Sequence, residues 1–217
     1  LLVDVVVSDN LCDGGPCEGV GIRATGDLNL QGVTIAGNVA DIATSDNLLG
    51  VGLHVAAGSL TATDLDVVDN EGTCVGSIWI EGGGIFTTGA DVSLVGGEIS
   101  GNSLTGGQTR APAMGTYDGT TSLDGVIIED NSAAGDTWPY PAKGALQFGN
   151  DTTVSHCVIA GNTASAHVGG TILGTVMTTF GLRDILVEFT TIVGNRAPGS
   201  YYALVDSNND NVTFSHV

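Results

Sequence analysis

The sequence predicts an all-β solenoid of about seven stacked coils, each of three short strands. Three observations predict it. Gly-Asn or Asp-Asn recurs along the chain at Asn10, Asn38, Asn70, Asn102, Asn131, Asn162 and Asn195, in steps of 28, 32, 32, 29, 31 and 33 residues, a period in the range of stacked repeats. Apolar residues ahead of each asparagine alternate with period two, the strand signature. No window sustains apolar spacing of three and four over three helical turns, and a repeat of about 31 residues is too short for two helices with loops plus strands.

Taken in order, each repeat opens with an apolar run introduced by glycine, as in Gly21-Ile22, Gly52-Leu53-His54-Val55, Gly84-Ile85-Phe86 and Gly144-Ala145-Leu146. A second alternating run follows, with Leu28 and Leu30, Val92 and Leu94, or Ile185 and Val187. The third places Val or Ile three residues before the asparagine (Val7, Ile35, Val67, Ile99, Ile128, Ile159, Ile192) and usually an apolar residue five before it, with Gly97 and Thr190 as exceptions. Between the second and third runs the phase slips by one, often at a glycine (Gly32, Gly96, Gly125), which lets a strand bend without leaving its ladder.

The asparagine has a physical reason to recur at one corner. A Gly or Asp precedes it every time, and these residues accept the left-handed backbone of a sharp turn cheaply. Stacked amide side chains can donate and accept along the column, so a structural Asn ladder is expected. Small residues two positions on (Ala40, Gly72, Ala133, Ala164, Ala197) are expected to line a tight inward corner.

Gly82-Gly83-Gly84-Ile85, followed by Val92-Ser93-Leu94 and Ile99-Ser100-Gly101-Asn102, resembles the right-handed parallel β-helix repeats of bacterial surface proteins, the polymorphic outer-membrane and autotransporter passenger group. Val or Ile stands where that group carries Phe. The resemblance implies a right-handed parallel β-helix, export to the cell surface or beyond, and no particular activity.

Composition agrees with export. Lysine appears once, at Lys143, and the formal charge is −19. Nucleic acid and anionic membranes need a basic footprint and are not expected partners; no stretch is long and apolar enough to span a bilayer as a helix. Leu1-Leu2-Val3 starts inside a strand, and Val212, Phe214 and Val217 match positions ten, eight and five before an asparagine that does not follow. Residues 1–217 therefore read as one β-helix segment, cut mid-coil at both ends, of a longer chain.

Four cysteines permit three pairings. Cys12 and Cys17 flank a Gly- and Pro-containing loop suited to a local bridge, with Cys17 to Cys74 as the rival; Cys157 takes an inward strand position. Either bridge implies an oxidising compartment. Neither spacing nor nearby histidines favour zinc.

The chemistry-bearing residues do not assemble into a recognisable catalytic set. The cations Arg23, Arg110, Lys143, Arg183 and Arg196 fall on different coils, so the register builds no basic patch. Asp64, Asp66, Glu98, Asp124, Glu129 and Glu188 are expected to face outward as solvated carboxylates. His54, His156, His167 and His216 are scattered; His156 and His216 share a register two coils apart, about 9.6 Å at strand spacing and too far for a direct pair. Asp64-Leu65-Asp66, Ser207-Asn208-Asn209-Asp210 and the turns at Asp13, Asp118 and Asp124 offer oxygen donors that make calcium the one cofactor to consider, although turn chemistry explains them without metal. A loose hydroxyl row (Thr61, Ser93, Ser122, Thr153) falls short of an ice-binding lattice.

Loop length after the asparagine varies most at 103–112 and 132–143, and the second carries Trp138, Tyr140 and Lys143, the candidate contact loop for a glycan or protein. Thr175–Leu182, with Met177 and Phe180, is expected to pack inward. The sequence favours a non-catalytic structural or adhesive module, whose partners are other coils or copies of itself, a glycan, or a host or cell-surface protein. The alternative is a carbohydrate-active β-helix, a lyase or hydrolase.

Overall fold

The computed structural model describes residues 1–42, 47–75, 79–135, 142–166, 172–173, 176–181, 183–197, 205–208 and 210–217. Among these there is no helix, and every strand pairs in parallel with strands of neighbouring coils. Val7 pairs with Ile35, Ile35 with Val67, Val67 with Ile99, Ile99 with Ile128, Ile128 with Ile159 and Ile159 with Ile192. The chain is a parallel β-solenoid of about six turns between its first and last marker asparagines, close to the seven coils expected.

The coil from Asn38 to Asn70 shows how a repeat is built. Val39–Ile42 forms one wall, Leu48–Leu49 a short strand, Leu53–Val55 a second wall, and Gly58–Val68 the long wall. The second and third sequence-predicted strands are thus one strand bent at Asp64, whose φ is +51°. Ala90–Ser100 repeats the bend at Gly96, φ +65°.

Two strands per coil were not expected. Residues after the asparagine form a paired sheet through Leu11–Asp13, Val39–Ile42, Glu71–Cys74, Ser103–Thr105, Ser132–Gly135 and Thr163–Ala166. Ala40, Ala133 and Ala164 are buried strand residues and not a tight corner. Their small size reflects the space filled from beside them: a methyl at Gly72 would sit 2.7 Å from Leu104 Cδ2. Weak hydrophobicity at these inward positions hid the strand.

Inward residues make two apolar columns. The larger runs from Leu30, Val33 and Ile35 through Leu53, Ile85 and Met114 to Val187. The smaller joins Cys17, Ile42, Leu48, Cys74, Ile80 and Leu104 beneath the post-asparagine sheet. Met177 is buried as expected, whereas the Phe180 side chain lies outside the described residues.

Left-handed residues stack in columns, and in the column ahead of the asparagines Asp and Gly alternate as far as Gly161, after which Gly194 follows. Ahead of the asparagines run Asp9, Gly37, Asp69, Gly101, Asp130 and Gly161, all at positive φ. Each aspartate fills the space above the next glycine; a Cβ on Gly37 would lie 3.1 Å from Asp9 Oδ1. The pattern keeps carboxylates two coils apart, about 9.6 Å and not about 4.8 Å. Gly101→Asp is expected to lower stability by about 2 kcal/mol, through its collision with Asp69 Oδ1 and the new run of three carboxylates from Asp69 to Asp130. Gly101→Ala separates the steric part, because only the charge part shrinks in high salt when urea midpoints are compared.

Candidate functional site

The marker asparagines form a single hydrogen-bonded column. From Asn38 onward each Oδ1 accepts from the backbone N and the Nδ2 of the asparagine one coil earlier; Asn131 Oδ1 receives Asn102 N at 3.1 Å and Asn102 Nδ2 at 2.9 Å. The second Nδ2 hydrogen goes to the carbonyl three residues before the preceding asparagine, such as Val67 O for Asn102 and Ile99 O for Asn131, both at 2.8 Å. Asn38, Asn70, Asn102, Asn131 and Asn162 have no exposed surface, with Asn10 and Asn195 continuing the column at either end.

A polar and aromatic layer lies outside the solenoid, where strand alternation turns side chains away from the core. Arg23, His54, Phe86, Gly115 and Gln147 occupy one register row, and Glu18, Leu49, Glu81 and Arg110 the row beside it. Gly19, Gly50, Gly82 and Ala111 turn the corner between them at positive φ. The alanine bears a backbone strain its three counterparts avoid. Outer-face residues would ordinarily be solvated, yet His54 is 3 %, Glu81 4 %, Phe86 2 % and Gln147 1 % exposed.

Glu81 is the hub. Its Oε1 accepts from Arg110 Nη1 at 3.1 Å and from the Tyr117 hydroxyl at 3.0 Å, and Gln147 Nε2 closes on the same phenol oxygen. Arg110 lies 4.1 Å over the Trp79 ring, while Phe86 packs edge-on to Tyr117. Burial first, then the Glu81 charge, hold the Tyr117 phenol well above its ordinary range. Arg110 balances the Glu81 charge where it stands, and Tyr117 keeps its proton at neutral pH.

Further along the coils, His156 Nδ1 meets Asp124 Oδ1 at 2.8 Å, and that hydrogen bond, ahead of one from Ser155, holds the exposed Asp124 carboxyl below its usual range. His156 and His216, too distant to touch, are joined by Phe189 stacked between them, at 5.3 and 4.8 Å between ring centroids. All three rings stand on left-handed residues at the bend that carries Asp4, Gly32, Asp64 and Gly96 in earlier coils. The sequence signal was Phe189 falling where Gly125 sits two coils earlier.

An open groove of about 510 Å³ runs across four coils on the long wall, lined by Ser122, Asp151, Thr153, Asp184, Asn211 and Thr213 among others. Its carboxylates already serve the stack: Asp151 Oδ1 accepts Asp184 N at 3.1 Å and Asp184 Oδ1 accepts Asn211 Nδ2 at 3.0 Å. On the other side of the bend, partial burial, then Glu98 in the next coil, raise Asp66 above the ordinary carboxyl range. Among the described residues no three His, Cys, Asp or Glu side chains converge as a metal ion would require.

Cys12 and Cys17 are joined by a disulfide, with Cys74 and Cys157 buried elsewhere. Trp138, Tyr140, His167 and Asn209 lie outside the described residues; Lys143 is placed only by its backbone, paired with Leu173. Sequence reasoning missed Glu81, Tyr117, Gln147 and Trp79, which lie on three strands, Trp79 and Glu81 sharing one, and are brought together by the register. It also missed Asn150, a buried interior amide bonded to Thr116, Thr121 and Thr152 where Asp118-Gly119 bulges the strand. No protein-family model, curated protein or solved structure matches the chain.

Proposed function

We propose that the chain is a non-catalytic structural or adhesive module of a secreted or surface-displayed bacterial protein, of the kind its repeats resemble. It acts as a rigid acidic rod that holds recognition elements at fixed spacing for a glycan, a surface protein or a neighbouring copy. The observation that carries this reading is the unbroken amide column from Asn10 to Asn195, which ties every coil to the next and leaves the outer walls free for contact. A formal charge of −19 adds repulsion between freely diffusing copies.

A glycan array combined with a polysaccharide-degradation screen tests it. Saturable binding without turnover is the expected result; release of reducing ends or unsaturated products from any polysaccharide overturns it. The groove favours a second reading, a carbohydrate-active site, because Asp151 and Asp184 face it from adjacent coils. Under that reading turnover is found and disappears in Asp184→Asn.

A further inference from the structure

His54 is buried, and among the described residues neither ring nitrogen has a hydrogen-bond partner. It lies between Arg23 of the preceding coil and Phe86 of the next, with the Phe86 ring 5.5 Å away. Glu18 Oε2 stands 3.7 Å from His54 Nδ1, beyond hydrogen-bond reach, because the same oxygen is held by Arg23 at 3.0 Å from Nε and 2.9 Å from Nη2. Among the described residues, Glu18 and Arg23 are the charged groups facing the imidazole, and with Pro16 they line an open cleft of about 310 Å³. Glu18 follows directly on Cys17, the buried end of the disulfide loop.

The geometry points to an acid-operated latch in which protonated His54 takes Glu18 from Arg23 and opens the corner between the disulfide loop and the following coil. At neutral pH the imidazole is uncharged and dry, and Glu18 belongs to Arg23. A proton on His54 creates two charged N–H donors with the Glu18 carboxylate 3.7 Å from one of them, so Glu18 closes the remaining gap. The second N–H finds a partner only if water enters, and Arg23, already half exposed, turns to solvent.

The direction of coupling follows from burial, which lowers His54 below its ordinary value more than Glu18 raises it, with Arg23 adding to the lowering. A histidine depressed in the closed form takes up its proton on opening. Closure is therefore unaffected above about pH 6.5 and loses ground as pH falls from there toward the depressed value, by up to about tenfold in the opening constant per pH unit.

Amide hydrogen exchange over residues 14–24 and 50–56, corrected for intrinsic rates and measured from pH 7.5 to 5, together with the NMR titration of His54, tests the latch. Exchange should rise several-fold below pH 6.5 in wild type, stay flat in His54→Gln, and rise less far in Arg23→Gln, whose closed form holds His54 less depressed. Glu18→Gln should lower the His54 midpoint further. These two substitutions are at partly exposed positions and leave the imidazole in place. An unshifted or raised His54 midpoint, or acid-dependent exchange that survives His54→Gln, overturns the proposal, whatever the glycan array shows.

Discussion

Asn102→Ala is expected to lower the unfolding free energy by about 4 kcal/mol, read as a lower urea midpoint by far-UV circular dichroism. The size comes from what is stranded. Asn70 N and Nδ2 lose their shared acceptor, and Val67 O and Asn131 Oδ1 each lose a donor. All sit where water does not reach, so each carries its desolvation cost without repayment. Asn102→Asp distinguishes loss of the acceptor from loss of the donors. It keeps oxygens for Asn70 but turns a carboxylate on Val67 O and Asn131 Oδ1. Burial raises such an acid above its unfolded value, so this variant should be more stable near pH 4 than at pH 7, the wild type showing no matching trend over that column. A midpoint for Asn102→Ala within experimental error of wild type would remove the column from the account of stability.

Glu81→Ala is expected to cost about 3–4 kcal/mol, because it leaves Arg110 charged under the outer layer with its main partner gone. Tyr117 keeps Gln147 but loses the carboxylate its hydroxyl donates to. Glu81→Gln retains an acceptor for both donors and should cost less than half as much. Exchanging both Glu81 and Arg110 for apolar residues of similar volume should be nearly neutral, since it removes the charges together. The pair is little exposed, at 5 % and 15 % of the side chains, so added salt should not rescue the single mutant. Thermal melts of the three variants, at low and high salt, decide the point. If Glu81→Ala and the double exchange melt alike, the ion pair contributes nothing beyond packing.

The sequence showed the stacking clearly and the outer layer hardly at all. Repetition is what made the difference. Val7, Ile35 and Val67 announce a shared column because the same chemistry returns each time at the same distance from Asn10, Asn38 and Asn70. The post-asparagine sheet was lost because its inward positions hold Ala40, Gly72 and Ala133, too small to mark a period. The bent long strand was read as two because Asp64 and Gly96 break the alternation without breaking the pairing. Glu81, Arg110, Tyr117 and Gln147 occur once each, so no repeat signalled them, and their sequence separations become contacts only through coil-to-coil register. The Asp/Gly alternation was visible as a list of tolerated turn residues; its meaning needed the Oδ1 of one coil to be seen above the Cα of the next.

The amide-to-amide bonds of the asparagine column all run one way, in each rung from a side-chain N–H to the oxygen of the higher-numbered neighbour. Aligned amide dipoles reinforce one another, so the rod has a sense of direction as an arrow does, and its two ends are chemically unlike. The Asn10 end presents an acceptor, and the Asn195 end presents donors. A coil joined at either end continues the column only if it faces the same way; a reversed one would set acceptor against acceptor or donor against donor. Polarity of assembly is thereby written into a side chain too short to reach beyond its own neighbour.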